Sequence, residues 1–153
     1  MRRAIGMAVL GFLFLAAHAG AADADEQAIR TTLAQVTENW SAMNVDANDA
    51  YYVADANAVW FYFAPLQYAG WNAYKEGVKK IFAEVQSASI KMNDDAVVHR
   101  RGKVAWVTYT LTAELRAKDG KVTKGEGRGT DVLEKRGGKW MIVHEHVSFP
   151  ASL

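Results

Sequence analysis

The sequence predicts a single α+β domain in which amphipathic helices come first and a curved antiparallel sheet follows. Two observations support this fold class. Before Ser87 the apolar residues recur mostly with the period of a helix, and after it they alternate as in strands. Glycine-containing turn sequences separate the alternating segments, which is the turn chemistry of β-hairpins.

The first predicted helix covers residues 25–43, and its cap is expected at Asp23 or Asp25. Its apolar residues alternate at steps of four and three: Ile29, Leu33, Val36, Trp40 and Met43. A second short helix fits residues 46–55, and a strand fits residues 58–63. Gly70 precedes a third helix, whose apolar face contains Tyr74, Val78, Ile81 or Phe82, and Val85.

Four long strands are predicted after this helical region. The first ends near Arg100, and the others cover residues 103–116, 121–135 and 139–148. The turns between them lie at residues 101–102, 118–120 and 136–138. A meander of this kind, following helices in one chain, defines the α+β class.

Residues 1–22 have the layout of a secretory signal peptide. Arg2 and Arg3 precede an apolar run, and small residues follow at 19–22. We therefore expect a periplasmic or secreted protein whose mature domain covers residues 23–153, with no membrane association after cleavage. The apolar run is short for a spanning helix, which needs about 20 residues.

Composition restricts the function classes. The net charge of +1 and the scattered basic residues give no basis for nucleic-acid binding. The chain contains no cysteine, which excludes disulfides, thiol nucleophiles and thiolate metal sites. Packing alone must therefore stabilise a domain of about 130 residues.

The order of elements resembles the cone-shaped nuclear-transport-factor-2-like superfamily. Residues 44–61 are similar to its turn–helix–strand passage, and residues 68–71 to its glycine-led entry into the third helix. Residues 127–148 resemble the terminal hairpin of SnoaL-like domains and of the association domain of calcium/calmodulin-dependent protein kinase II. The resemblance covers residues 25–150 and implies that fold. It does not select an activity, because the superfamily includes enzymes, binders and oligomerisation modules.

Alternation sorts the strand residues into two faces. Ala105, Val107, Tyr109, Leu111, Ala113 and Leu115 form a core-like face, whereas Trp106, Thr108, Thr110, Thr112 and Glu114 are exposed or contact a second subunit. Gly125, Gly127 and Gly129 share a face with Asp131. This glycine row indicates either a bare floor for a ligand or a bend in the strand.

The neighbours of Asp131 depend on the last turn. A three-residue turn at 136–138 places Asp131 beside Val143 and Glu145 and Arg128 near His146, whereas a two-residue turn at 137–138 places Asp131 against His144. The resemblance favours the three-residue turn, because it implies pocket positions at Asp131, Val143 and Val147.

His144 and His146 stand at alternate positions of the last strand, a spacing that can chelate a metal ion. A third ligand is required, and His99 is the only other histidine after residue 22. We therefore predict neither a metal nor another cofactor. The imidazoles are expected to hydrogen-bond to Arg128, Thr130 or a neighbouring chain.

Asp131 and Glu145 are the candidate catalytic residues, because carboxyl groups in an apolar pocket acquire raised pKa values suited to proton transfer. The resemblance aligns Asp131 with the oxyanion-stabilising aspartate of ketosteroid isomerases. Their catalytic base, however, falls at Phe61, and their helix-one tyrosine falls near Glu38 or Trp40. In the kinase association domain, arginines occupy the positions of Asp131 and Val147. The resemblance therefore implies neither steroid isomerisation nor the anion-binding pocket of the kinase association domain.

The chain has enough aromatic residues to line a cavity with polar tips: Trp40, Tyr51 or Tyr52, Trp60, Tyr62, Trp71 and Tyr109. The predicted ligand-binding set is Trp40, Trp60, Tyr62, Tyr109, Val143, Val147, Arg128 and His146. Ordinary core filling is the alternative for each aromatic member.

Three functions remain open from the sequence. The first is a homodimeric domain that binds a small, largely apolar organic molecule, with Trp106, Thr108, Thr110, Trp140, His144 and His146 at the subunit contact. The second is a lyase, isomerase or cyclase that uses Asp131 as acid and Glu145 or a histidine as base. The third is an oligomerisation hub.

Overall fold

The computed structural model describes residues 10–62 and 64–151, and it describes side chains from residue 24 onward. The elements in chain order are helix α1 (Leu10–Ser41), a 3-10 helix (Val45–Ala50), β1 (Val59–Phe61), β2 (Tyr68–Ala69), helix α2 (Trp71–Phe82), β3 (Val85–Met92), β4 (Val97–Arg101), β5 (Val104–Ala117), β6 (Val122–Arg136) and β7 (Lys139–Ser148). The helices precede a curved, unclosed sheet. The predicted fold class is confirmed.

The sheet has the strand order β2-β1-β7-β6-β5-β3, and β4 also pairs with β5. All pairings are antiparallel except β1 with β7, which is parallel. The strand predicted to end near Arg100 is two strands, β3 and β4, which pair with opposite ends of β5. The long strands β5, β6 and β7 match the predicted segments closely.

Helix α1 packs its predicted apolar face, including Ile29, Leu33 and Val36, into the core. It begins at Leu10, so the predicted cap at Asp23 or Asp25 is wrong. Asp25 instead accepts a hydrogen bond from Lys135 at 2.5 Å and one from Trp140 Nε1 at 3.2 Å. The predicted signal peptide lies outside the residues whose side chains are described. The helices of the described part include none that is long and apolar enough to cross a membrane.

Helix α2 begins after Gly70, whose φ of 78° is the left-handed conformation that glycine adopts without strain. It buries Trp71, Tyr74 and Val78 against the sheet side of the molecule. The second predicted helix is shorter than expected and is of the 3-10 type. The first predicted strand also shortens, to three residues in β1.

The β6–β7 hairpin corrects the predicted turn. Arg136 pairs with Lys139, so the turn consists of Gly137 and Gly138, which have φ values of 55° and 84°. Positive φ at both positions is the signature of a two-residue hairpin turn. The expected three-residue turn is therefore wrong.

A β-bulge then resets the register. Leu133 pairs with Ile142, but Val132 pairs with His144, which leaves Val143 as the extra residue. Beyond the bulge, Asp131 pairs with Glu145. Neither predicted register contained a bulge, which is why neither gave the full set of neighbours.

The bulge also switches the face of β7 that points inward. Trp140 and Ile142 are buried before it, and Glu145 and Val147 are buried after it. The prediction that Trp140 lies at a subunit contact is therefore wrong, because Trp140 packs inward beside α1. On β5 the predicted alternation holds, with Ala105, Val107, Tyr109 and Leu111 buried.

Candidate functional site

The inner face of the sheet and the two helices enclose a mostly apolar cavity. Its lining consists of six aromatic residues (Trp40, Tyr62, Tyr74, Phe82, Tyr109, Phe149), eight aliphatic ones (Leu33, Val36, Val78, Ile90, Met92, Leu111, Ala113, Val147) and three polar ones (Thr37, Asp131, Glu145). No lysine, arginine or histidine lines it within the described part of the chain.

The cavity is narrow. The space between atoms, including that open to solvent, is about 660 Å³, but the centres of water-sized molecules fit in only about 60 Å³ of it. A single water needs roughly 10–15 Å³ of the volume that is open to the centres of water-sized molecules. The site as it stands therefore accommodates a few waters or a slim molecule, and a larger ligand requires side chains on the wall to rotate.

Glu145 lines the cavity and is only 4% exposed. Its Oε2 accepts a hydrogen bond from the Tyr52 hydroxyl at 2.5 Å, and its Oε1 accepts one from the Tyr74 hydroxyl. Trp40 Nε1 donates in turn to Tyr52 Oη at 3.3 Å. Both oxygens of Glu145 are thus already engaged by donors of the protein.

Asp131 pairs with Glu145 across β6 and β7 and is 2% exposed. The Tyr109 hydroxyl faces its carboxyl group and lowers its pKa as a hydrogen-bond donor does. Its Oδ1 has no hydrogen-bond partner among the described residues. A buried polar atom without a partner costs free energy, and such atoms in native proteins often mark a position where a ligand or water binds.

The electrostatics of the two carboxyl groups follow from burial. Burial raises the pKa of Asp131 well above its usual range, and the charge of Glu145 raises it further, against the opposing hydrogen bond from Tyr109. Burial also raises the pKa of Glu145, and the hydrogen bonds from Tyr52 and Tyr74 partly offset this. Two neighbouring buried carboxyls cannot both ionise cheaply, and the two tyrosine hydroxyls favour the ionised form of Glu145, so the proton is retained preferentially on Asp131.

The glycine row is filled by the protein's own aromatic rings. A Cβ on Gly129 would stand 2.3 Å from Cζ of Tyr109, and one on Gly125 or Gly127 would stand 3.1 Å from the Phe149 ring. Gly129 therefore allows the Tyr109 ring to lie directly on β6, in the position from which its hydroxyl reaches Asp131. The glycines allow aromatic side chains of the protein to pack closely on β6, and they do not leave an open surface for a ligand.

The structure brings six of the predicted site residues together. Trp40, Tyr62, Tyr109 and Val147 line the cavity with Asp131 and Glu145. Their proposed roles in binding or catalysis remain predictions.

Four other predicted ligand-binding residues lie elsewhere, and their placement in the pocket is wrong. Trp60 is fully buried in the core, stacked with Tyr74 at 5.9 Å between ring centroids. Val143 is the bulged residue of β7. Arg128 and His146 lie on the outer face of the sheet, where Arg128 pairs with Ser148 and His146 with Thr130. The expected neighbourhood of Arg128 and His146 assumed the wrong turn.

The histidines do not reach the cavity. His144 Nδ1 lies 2.7 Å from the carbonyl oxygen of Val59, His146 is exposed, and the His99 ring stacks on Trp106 at 5.0 Å between centroids. The described residues contain no cluster of three His, Cys, Asp or Glu side chains that could hold a metal ion. Among the described side chains, no histidine is placed to act as a base in the cavity.

Sequence reasoning missed Tyr74 and Phe149 as residues of the site, and it named Tyr51 or Tyr52 only as one of several aromatics able to line a cavity. Tyr52 and Tyr74 donate to Glu145, and Phe149 covers the glycine row. Tyr74 was assigned to the buried face of its helix, which is correct, but periodicity cannot show that a phenol on that face ends at a carboxylate. The row of alternate glycines is the signal that could have indicated a covering aromatic ring such as Phe149.

Comparison with known proteins supplies the family. Residues 29–152 match the family model of the SnoaL-like domain, and the chain belongs to that family. No curated protein sequence matches the chain.

Solved structures share the fold at low sequence identity. A nuclear transport factor 2-like superfamily protein from Salmonella enterica superposes with a TM-score of 0.79 at 17% identity, covering 86% of this chain and 94% of that one. A protein from Novosphingobium aromaticivorans, provisionally named a scytalone dehydratase, gives 0.75 at 15% identity over 84% and 85% of the two chains. A provisionally named dehydratase from Streptomyces avermitilis gives 0.74 at 15% over 85% and 99%.

Proposed function

We propose that the protein binds a small, largely apolar organic molecule in this cavity, with Asp131 as its polar anchor. The observation that carries the proposal is Asp131, which lines an otherwise apolar, aromatic cavity and whose buried Oδ1 has no hydrogen-bond partner among the described residues. Small-molecule sites have this composition, with apolar walls and a few placed polar groups. The family membership is consistent with such a site.

The N-terminal sequence supports export to the periplasm or exterior as part of the proposal, and the outer sheet face supports a homodimer. Trp106, Thr108 and Thr110 stand on that face with His144 and His146. The subunit contact we propose uses these residues, without Trp140.

Native mass spectrometry of the protein purified from its own host tests both parts of the proposal. We expect a dimer that carries a small organic molecule. Replacing Ala113, which lines the cavity, with phenylalanine should fill the space and remove the bound mass, whereas His146→Ala on the outer face should retain it. A wild-type protein with no bound mass would contradict binding, and a monomer would contradict the dimer.

A second candidate is a lyase, isomerase or cyclase that uses Asp131 as its acid. Its support is the buried, proton-retaining carboxyl, together with the dehydratase names of two proteins that share the fold. Glu145 is poorly placed as the base, because each of its oxygens already accepts a tyrosine hydroxyl. Binding is therefore better supported than turnover. If the bound molecule is recovered unchanged after incubation with wild type and with Asp131→Asn, the enzymatic candidate is excluded.

A further inference from the structure

Among the described residues that line the cavity, one buried hydrogen-bond acceptor lacks a donor. Tyr52, Tyr74 and Tyr109 each direct a hydroxyl toward a carboxyl group, and Trp40 Nε1 donates to Tyr52. Thr37, the remaining polar residue of the lining, donates its hydroxyl to the Leu33 carbonyl at 2.9 Å. All these donors are used within the protein, and the Oδ1 of Asp131 is left over.

The formal charges at the same place are also unbalanced. Asp131 and Glu145 lie directly opposite each other, and no basic side chain of the described residues lines the cavity. Buried charges in proteins are normally paired with an opposite charge. A ligand that brings a positive charge would complete this site, and the proton retained by Asp131 substitutes for that charge when no such ligand is bound.

The walls suit a cation as well. Six aromatic side chains line the cavity: Trp40, Tyr62, Tyr74, Phe82, Tyr109 and Phe149. Aromatic faces attract ammonium groups, most strongly where the contact excludes water.

Three observations point to one ligand class: the unpartnered Oδ1 of Asp131, the two carboxyl groups without a basic side chain beside them, and the aromatic walls. We propose that the ligand is an organic ammonium ion, a protonated amine on a slim apolar body. Its N–H group donates to Asp131 Oδ1. This inference rests on the proposed binding function and assigns its ligand class. A neutral carbonyl compound is the rival class, because it would accept a hydrogen bond from a protonated Asp131.

The two classes predict opposite responses to pH. An ammonium ion must displace the proton held by the carboxyl pair, so its affinity should rise with pH while the amine stays protonated. A carbonyl compound needs that proton and should lose affinity as the pair ionises. The titratable groups that face the pair are Tyr109 on β5, Tyr52 after the 3-10 helix, Tyr74 on α2 and Tyr62 after β1, and their pKa values are all raised. His144, beside Glu145 on β7, has its ring at Val59.

The experiment uses three probes of one shape and equal numbers of non-hydrogen atoms: benzylamine, benzyl alcohol and benzonitrile. They present an ammonium ion, a neutral hydroxyl and a neutral acceptor on the same small ring. Binding to the full chain is measured by calorimetry from pH 5 to 8, in buffers of different ionisation enthalpy so that proton release is counted.

We expect benzylamine to bind at least about tenfold more tightly than benzonitrile at pH 8 and to release one proton. As the pH is lowered through the range in which the carboxyl pair holds that proton, the affinity of benzylamine should fall by about tenfold per pH unit. Asp131→Asn should abolish the preference for benzylamine, and His146→Ala, which lies on the outer face of the sheet, should retain it.

Other outcomes separate the two proposals. If benzonitrile or benzyl alcohol binds most tightly, or if benzylamine binds without proton release, the ammonium inference is overturned and the binding function stands. If no probe binds to the wild-type chain, the binding function fails, and the ammonium inference fails with it.

Discussion

Glu145 and Asp131 are opposite each other in the β6–β7 pairing, yet their surroundings differ. Glu145 accepts hydroxyl groups on both oxygens and lies among the rings of Tyr52 and Tyr74. Asp131 has one tyrosine partner and an oxygen without a partner. Two carboxyl groups with similar burial are thus prepared for different roles.

The comparison indicates that Glu145 is a structural acceptor and Asp131 the group available to a ligand. A carboxylate with two phenol donors is stabilised in its ionised form, and it orders the aromatic residues that donate to it. Its neighbour then retains the proton, because a second buried negative charge at that distance is unfavourable. Asp131 Oδ1 is therefore the polar atom of the cavity lining that remains for a ligand to bind.

The largest effect is expected from Glu145→Ala. This change leaves the buried hydroxyl groups of Tyr52 and Tyr74 without an acceptor, and each unsatisfied group costs about 1–3 kcal/mol. We expect urea denaturation to show a free energy of unfolding lower by roughly 3–5 kcal/mol. Glu145→Gln, which keeps the shape and one acceptor oxygen, should lose about half as much. A loss below about 1 kcal/mol for Glu145→Ala would show that Glu145 is not the structural member of the pair.

Gly129→Ala should have an intermediate effect at the Asp131 end. Its Cβ would lie 2.3 Å from Tyr109 Cζ and force the ring away from Asp131. Overpacking of this kind costs about 1–3 kcal/mol of unfolding free energy. Gly125→Ala is the matched control, because its nearest contact is the Phe149 ring at 3.1 Å, and it should cost less. Equal losses for the two variants in thermal or urea unfolding would remove the special role assigned to Gly129.

The smallest effect is a change in pH dependence for Asp131→Asn. The pKa of Asp131 is raised on folding above its ordinary value of 3.8, so the folded state binds more protons than the unfolded state above that pH. This contribution to stability is therefore present at low pH and is lost as pH rises through the folded pKa. The difference in unfolding free energy, variant minus wild type, should increase from pH 4 to pH 7, by about 1 kcal/mol or more. A difference that stays constant or decreases would contradict the raised pKa.

Much of the fold could be predicted because local patterns determine it. The helical period of Ile29, Leu33 and Val36 and the alternation along residues 104–117 each identify a buried face without knowledge of the partner element. The glycine-rich turns mark the ends of the long strands. The bounds of α1 were less predictable, because Asp25 is a plausible cap but is held by Lys135, far away in the chain.

The site was predicted only in part, and the β7 bulge explains most of the difference. One extra residue at Val143 turns Glu145 and Val147 inward, although they alternate out of phase with the buried Trp140 and Ile142. A bulge leaves no clear mark in the sequence of β7. The errors for Trp140 and Val143 arise there, whereas the expected neighbourhood of Arg128 and His146 assumed the wrong turn. Asp131 and Glu145 were identified as a pair, but the tyrosines that distinguish them come from distant segments.

The central claim, that Asp131 retains its proton while Glu145 is held ionised by tyrosines, can be tested by carbon-13 NMR of the side-chain carboxyl groups across a pH titration. The account predicts that the Asp131 signal moves at a pH well above the usual carboxyl range and above that of the Glu145 signal. A titration of Asp131 near its ordinary value of 3.8, or below that of Glu145, would contradict it.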